Sequence, residues 1–173
     1  MSQRGGPLPE TVSSAVVIDS LEFARTGGRF EGDFAVAAMG RLVETTGSNN
    51  GTLSCCVVGE RDSEGLSYLL VRIVGELTLR CQRCLKNLQW PVEVDSRLML
   101  VAPGAEWPDD DPAEDEPDAI GADKALALLT LFEDEVILAL PLSPRHEICD
   151  LPAVDGEGGE PSPFAALAKL KKS

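Results

Sequence analysis

Several features that are common in enzymes are missing from the 173-residue chain. It has one histidine, and it contains no GxxxxGKS/T or GxGxxG segment, so neither a catalytic triad nor a phosphate-binding glycine loop is indicated. The three adjacent acids Glu133-Asp134-Glu135 lie in a predicted helix, where neighbouring side chains point about 100° apart and do not converge. We therefore expect these acids at the helix surface or at an edge, and we expect a protein that is not an enzyme and has no evident small-molecule substrate.

Long apolar runs are missing as well. None approaches the roughly 20 residues of a membrane span. The first residues, MSQRGGPLPETV, hold no apolar segment with a cleavage site. Without an export signal, the five cysteines are expected to be reduced thiols or metal ligands rather than a disulfide framework. These absences predict a cytoplasmic protein that has no membrane partner.

Positive charge is scarce, because the formal net charge is −14. Residues 103–119 hold eight acids and no base, and residues 150–160 hold four acids and no base. Without these twelve charges the remaining chain carries a net charge of −2, which leaves room for local basic patches. The net charge argues against a nucleic-acid binder that depends on a generally basic surface. Each acidic run is either a solvated loop or a surface for a basic partner.

The clearest structural signal in the sequence is the strand periodicity of two segments. Apolar residues occupy alternate positions in residues 69–81 and again in residues 88–100, with more polar residues between them. The intervening residues 81–87 are few enough to close a hairpin. The sequence therefore predicts a long antiparallel hairpin with a Cys-x-x-Cys pair at its tip.

The fold class predicted is α+β, an antiparallel β-meander with a long hairpin, packed by one main helix and by shorter N-terminal and C-terminal helices. The main helix is expected over 123–140, capped by Asp123 and ended by Pro141, with Leu128, Phe132 and Val136 among the most buried residues. A second helix is expected over about 34–45 with Asp33 as its N-cap.

The predicted domain organisation has three parts. Residues 1–11 are expected to form a flexible tail, and residues 12–149 a single α+β domain. That domain contains an acidic mobile loop at 103–119, where prolines and like charges oppose regular structure. Residues 150–173 are expected to form an acidic linker and a short C-terminal helix.

Cysteine and histidine offer the most specific site. Cys81 and Cys84, together with His146 and Cys149, are four ligands of the types that zinc prefers, and Cys₃His is a usual structural set. Zinc binding requires the segment 141–149 to fold over the hairpin tip. Two alternatives remain open, namely ordinary buried or free thiols and a redox pair formed by Cys81 and Cys84.

A group of cations lies beside that site. Arg80, Arg83 and Lys86 fall at or near the predicted turn, and Arg72 shares a strand face with Arg80. The first three are the candidate RNA- or partner-binding residues, because such a group can grip phosphates locally despite the negative net charge. The alternative is ordinary surface charge.

Three segments of the chain resemble a known family. These segments are GELTLRCQRCLKNL, FEDEVILALPLSPRHEIC and SPFAALAKLKK, and they resemble, in this order, the motifs of the YceD family of large ribosomal RNA subunit accumulation proteins. The resemblance implies a bacterial cytoplasmic protein needed for normal accumulation of 23S rRNA. It brings no catalytic residue and does not settle whether a metal is bound.

These observations lead to three functional hypotheses. The first is a non-enzymatic ribosome-biogenesis factor needed for the synthesis, processing or stability of 23S rRNA, with 23S rRNA or its precursor as partner. The second is an acidic escort for a basic ribosomal protein, in which residues 103–119 and 150–160 mimic phosphate charge. The third is a thiol redox or metal-handling protein that uses Cys81 and Cys84.

Overall fold

The computed structural model describes residues 16–108 and 117–149. Within them the chain forms a five-stranded sheet of order β2-β3-β4-β5-β6, a two-stranded sheet of β1 and β7, and three α-helices. The elements in chain order are β1 Val17–Ile18, α1 Ser20–Thr26, β2 Arg29–Ala35, a 3₁₀ turn Val36–Ala38, α2 Gly40–Thr46, β3 Thr52–Arg61, β4 Ser67–Arg80, β5 Asn87–Val101, β6 Asp118–Gly121, β7 Leu126–Ala127 and α3 Leu128–Ala139. The α+β class is confirmed. The predicted tail 1–11, the central part of the acidic loop (109–116) and the predicted C-terminal linker and helix lie outside the described residues.

Strands β4 and β5 form the predicted hairpin. They pair in antiparallel register from Tyr68 opposite Met99 to Arg80 opposite Asn87. The apolar residues at alternate positions of β4 are buried and their neighbours Arg72 and Arg80 are exposed, as the period of two predicts. Strands β2 to β5 are a continuous antiparallel meander.

Strand β6 departs from the predicted meander because it pairs with β5 in parallel. Its register runs from Asp118 opposite Leu98 to Gly121 opposite Val101. Asp118 and Ala119 therefore belong to a strand, and the predicted acidic loop ends two residues too late. Strand β6 has four residues, which are too few to show a period in the sequence.

Helix α3 covers the buried face of the sheet. Leu128, Phe132 and Val136 are each fully buried, which confirms the prediction for this helix. The Phe132 ring packs 5.5 Å from Phe34 and 6.5 Å from Phe30, measured between ring centroids. Three aromatic rings at these spacings form the centre of the core. None of the helices in the described part is both long and apolar enough to cross a membrane.

The predicted helix over 34–45 is wrong in its first half. Asp33 lies in β2, where its carboxylate accepts a hydrogen bond from Ser54, and Phe34 pairs with Leu53 of β3. The helix begins only at Gly40. Pairing with β3 and burial of the Phe34 ring outweigh the helical spacing of the apolar residues.

The predicted start of the main helix is also wrong. Asp123 accepts a hydrogen bond from the N–H of Ala125, two residues on, which makes a turn rather than an N-cap. Leu126 and Ala127 then pair with β1, so α3 starts at Leu128. Its end agrees with the prediction, because the helix stops before Pro141.

The adjacent acids of α3 are not all on its surface, contrary to expectation. Glu133 and Glu135 are buried, whereas Asp134 is partly exposed. Glu133 accepts a hydrogen bond of 2.9 Å from the N–H of Leu42 and one of 3.1 Å from Nε of Arg41. The carboxylate therefore satisfies a donor in the first turn of α2 and joins the two helices.

Candidate metal centre

The hairpin turn places both cysteines of the Cys-x-x-Cys pair on the same side. The N–H of Cys81 donates to the carbonyl of Lys86 at 2.9 Å, and the N–H of Leu85 donates to the carbonyl of Cys81 at 3.0 Å. Leu85 has a φ of 62° and is the one non-glycine residue in the described ranges with a positive φ. A bulky residue adopts this conformation rarely, and here it lets the chain turn back into β5 immediately after Cys84.

The segment after α3 folds over this turn, as zinc binding requires. The N–H of Gln82 donates to the carbonyl of Pro144 at 2.8 Å, which ties the hairpin tip to the segment. Nε2 of His146 lies 3.1 Å from the carbonyl oxygen of Asn87, the first residue of β5. Two backbone contacts thus fix the approach of the only histidine to the two cysteines.

Four side chains converge at this point. The ligand atoms of Cys81, Cys84, His146 and Cys149 all lie within 4.8 Å of one another. The sulfurs of Cys81 and Cys149 are 3.9 Å apart, and the Cys84 sulfur is 3.4 Å from Nδ1 of His146. Tetrahedral zinc needs roughly 3.8 Å between two sulfurs and roughly 3.6 Å between a sulfur and a nitrogen. The cluster can therefore bind a metal ion with little rearrangement.

The histidine is oriented for ligation by its second nitrogen. When Nε2 carries the ring proton, it donates to the carbonyl of Asn87 and leaves the lone pair of Nδ1 directed at the cluster. A backbone carbonyl in this position is a usual partner of a metal-binding histidine, because it fixes both the tautomer and the ring orientation.

The cysteines differ in their electrostatic environment. Burial opposes ionisation of Cys81, but the backbone N–H groups of Cys84, His146 and Arg83 donate to its sulfur and lower its pKa to about 5. Burial, and then the adjacent sulfurs of Cys81 and Cys84, raise the pKa of Cys149. The surroundings of Cys81 therefore favour its thiolate, whereas those of Cys149 favour the protonated thiol.

The cysteines outside the cluster have no such surroundings. Burial in the sheet, and then the charge of Asp33, raise the pKa of Cys55 to about 12, so that thiol stays protonated. Cys56 faces the other side of the strand and is partly exposed. No disulfide joins any of the five cysteines. The cluster thus differs from ordinary core or surface thiols in having three sulfurs beside one imidazole.

The three candidate contact residues lie around the same turn. Arg80, Arg83 and Lys86 are exposed, and none of them takes part in an ion pair within the described part of the chain. Nε of Arg80 donates to the carbonyl of Leu85 at 3.3 Å, which holds the guanidinium beside the turn. Arg72 is on the same face of β4 but about 27 Å away along the strand, so it is not part of this group.

Sequence reasoning identified the four ligand types but not the groups that support them. The carbonyls of Asn87 and Pro144 and the backbone donors to Cys81 belong to the main chain, which every residue has, so no residue type marks them. The only sequence signal for the turn is the short spacing between the two periodic segments. The supporting contacts become visible only in the folded chain.

Comparisons with known proteins identify the family of the chain. Residues 69–171, which include the hairpin and the metal cluster, match the family described as "Large ribosomal RNA subunit accumulation protein YceD". A protein of that name from Haemophilus influenzae is 27% identical over 175 residues, which cover 94% of this chain and 99% of that protein. No solved structure matches the chain. Because the family match extends over more than half of its length, the chain belongs to the YceD family of large ribosomal RNA subunit accumulation proteins.

Proposed function

We propose that this chain is a non-enzymatic, cytoplasmic factor of ribosome biogenesis that is needed for the synthesis, processing or stability of 23S rRNA. The observation that carries this proposal is the family match over residues 69–171, together with the name of the relative, which refers to accumulation of large-subunit ribosomal RNA. We propose further that the chain contacts 23S rRNA or its precursor directly through Arg80, Arg83 and Lys86.

The metal that fits the cluster best is zinc. Three thiolates and an imidazole form a soft, four-ligand set, which is a usual set for structural zinc. Because all four positions are taken by the protein, none remains for water or substrate, so a structural role is favoured over a catalytic one. Bound zinc would link His146 and Cys149 to Cys81 and Cys84, and so would hold the segment 141–149 on the hairpin tip.

A fixed tip is a suitable carrier for RNA contacts. Cations on a rigid turn lose less conformational entropy on binding than cations on a mobile loop. Three cations neutralise two or three phosphates, so the affinity for single-stranded RNA should fall with salt with a slope on the order of −0.7 per phosphate. This is a shallow dependence, as suits a chain with a net charge of −14.

The test is a triple variant, Arg80→Ala, Arg83→Ala and Lys86→Ala, in cells that lack the native protein. We expect 23S rRNA to fall relative to 16S rRNA while the purified variant keeps its thermal unfolding midpoint. The matched control changes three exposed cations far from the tip, Arg61, Arg72 and Lys124, to Ala, and so removes the same charge. A tip variant that is folded and supports normal 23S rRNA levels would refute direct contact through these residues.

The acidic runs support a second candidate, an escort for a basic ribosomal protein. Residues 103–119 carry eight acids, and Trp107 among them is 58% exposed. On this alternative, neutralising those acids lowers function and the tip variant behaves normally. A thiol redox role for Cys81 and Cys84 predicts a third set of results. Alkylation of the two thiols would then abolish function, whereas replacement of His146 would preserve it.

A further inference from the structure

A polar cleft lies between the end of β4 and the turn that joins α2 to β3. Its volume is about 440 Å³, within the range of about 300–1,000 Å³ typical of ligand pockets. The polar side chains around it are three asparagine amides (Asn49, Asn50, Asn87), three hydroxyls (Thr46, Ser48, Thr78) and the guanidinium of Arg80. Within residues 16–108 and 117–149, no aspartate or glutamate lines the cleft.

The cleft exists because β4 is longer than its neighbour β3. The pairing of these strands ends with Leu53 opposite Gly75, whereas β4 continues to Arg80. The turn before β3 occupies part of the vacant side of β4. It is anchored at Gly51, whose carbonyl accepts from the N–H of Val36 at 3.0 Å and whose Cα lies too close to the Glu76 carbonyl for a side chain. The wall of the cleft is therefore held by backbone contacts.

The asparagine amides are available for a ligand. The Thr46 hydroxyl donates to the Leu42 carbonyl, so it is already used within the fold. By contrast, the side-chain amides of Asn49, Asn50 and Asn87 make no hydrogen bond with any residue in the described ranges 16–108 and 117–149. An amide both donates and accepts, which suits the mixed edge of a nucleobase and a ribose hydroxyl.

We propose that this cleft binds one unpaired nucleotide of RNA, with the phosphate on Arg80 and the base or ribose on the asparagine amides. This inference rests on the proposed function, because it assumes that the hairpin tip contacts RNA. The volume admits a single nucleotide and not a duplex. RNA proteins read sequence mainly in loops and bulges, where a base can leave the stack and offer its edges to side chains.

Leu85 supplies an apolar contact for the base. Among the residues that the structure describes, no aromatic ring lines the cleft. The Leu85 side chain lies at the cleft, is 51% exposed, and is held there by a backbone conformation with positive φ, which bulky residues rarely adopt. Glycine would adopt this conformation without strain.

The test measures binding of fluorescein-labelled ten-residue RNA homopolymers of A, U and C by anisotropy at 50 mM salt. Asn50→Asp is nearly isosteric and places a negative charge in the cleft. We expect it to weaken the best-bound RNA about ten-fold or more, which is the scale of one lost amide–base pair. The control Ser63→Asp adds the same charge to the exposed turn between β3 and β4, at the opposite end of the hairpin, and should change binding less than two-fold.

A second variant, Leu85→Asn, keeps the tolerance for positive φ and removes the apolar contact. It should also weaken RNA binding, and its unfolding midpoint should be equal to or above that of the wild type, because asparagine adopts a positive φ at a lower cost than leucine. Labelled DNA of the same sequence and a ten-base-pair RNA duplex should bind more weakly than the single-stranded RNA. Free nucleoside monophosphates at millimolar concentration are the competitors. If they displace the labelled RNA as strongly as unlabelled RNA of equal nucleotide content does, the cleft is a small-molecule site and the inference is overturned.

The failure of this inference can be told apart from failure of the proposed function. If Asn50→Asp and Leu85→Asn bind RNA as the wild type does, while Arg83→Ala with Lys86→Ala lowers the affinity, the tip contacts RNA and the cleft does not. If the wild-type protein binds none of the three RNAs, direct RNA contact is refuted, and the cleft inference falls with it.

Discussion

Nδ1 of His146 lies 3.4 Å from Sγ of Cys84, although 62 residues separate the two in the chain. One belongs to the hairpin turn and the other to the segment that follows α3. Because α3 packs on the same hairpin, the fold of the core brings the two halves of the cluster together. Metal affinity and core stability are therefore linked, since ions that bind only the folded state stabilise it.

The first prediction concerns metal content. Protein purified without added zinc should contain about one equivalent of zinc, and chelation should lower its melting temperature. Cys84→Ser should reduce the bound zinc below one tenth of an equivalent, because three remaining ligands bind zinc more weakly than four. The measurement is elemental analysis after gel filtration, paired with thermal unfolding in the presence and absence of chelator.

The matched control is Cys56→Ser. Cys56 is a partly exposed thiol of β3 that lies outside the cluster, so its replacement should leave the zinc content unchanged. Wild-type protein with less than one tenth of an equivalent of zinc would contradict the metal assignment. Equal loss of zinc in both variants would mean that zinc binding does not depend on the cluster of Cys81, Cys84, His146 and Cys149.

The second prediction uses the pKa of Cys81 in chelator-treated protein. Its folded-state pKa of about 5 lies below the ordinary value of 9.0, so the thiolate form favours folding. That contribution is complete above pH 9 and is lost as the pH falls through about 5. The unfolding midpoints of wild type and Cys81→Ser should therefore differ most at pH 8 and converge towards pH 5. A difference that stays constant from pH 8 to pH 4.5 would argue against an ionised Cys81.

The third prediction concerns the core. Phe132→Ala should lower the free energy of unfolding by about 3–5 kcal/mol, because a fully buried ring in contact with two others is removed. Leu138→Ala is the control, since Leu138 lies on the same helix but is 79% exposed, and it should change stability by about 0.5 kcal/mol or less. Urea unfolding at 25 °C measures both. Similar effects for the two variants would show that the face of α3 that carries Phe132 is not the buried face.

Periodicity explains why the hairpin could be predicted and the helix boundaries could not. Fourteen residues in β4 and fifteen in β5 repeat the alternation often enough to fix both the structure and the buried face. Phe34 has an apolar neighbour at helical spacing, yet its partner in the fold is Leu53, nineteen positions further along the chain. Local spacing carries no information on such a partner. The same limit applies to Leu126, whose strand partner is Ile18.

The four metal-ligand residues of the candidate site could be predicted from the sequence, but the groups around them could not. Cysteine and histidine at short spacings point to metal binding because few other residues serve as soft ligands. The polar cleft beside the tip had no such signal. In the sequence, Asn49 and Asn50 are typical of an ordinary turn. They line a cavity because the pairing between β3 and β4 ends before the end of β4, which leaves space beside that strand.

The last prediction concerns Glu133, whose burial the sequence pattern did not predict. Glu133→Ala should lower the free energy of unfolding by about 1–3 kcal/mol, since the N–H of Leu42 is then left without its acceptor in a buried site. Asp134→Ala is the matched control on the next residue. Asp134 is partly exposed and pairs with the same Arg41, so its loss should cost about 1 kcal/mol or less. Urea unfolding monitored by tryptophan fluorescence and by circular dichroism measures both variants.

Glu133→Gln separates the two roles of the carboxylate. Glutamine keeps a side-chain carbonyl that can accept from the N–H of Leu42 but has no charge to offer to Arg41. If the buried hydrogen bond is the main contribution, Glu133→Gln should be clearly more stable than Glu133→Ala. If attraction to Arg41 is the main contribution, the two variants should be equally unstable, and 0.5 M salt should narrow the gap to wild type. The first result is expected, because Arg41 is half exposed and the N–H of Leu42 is not.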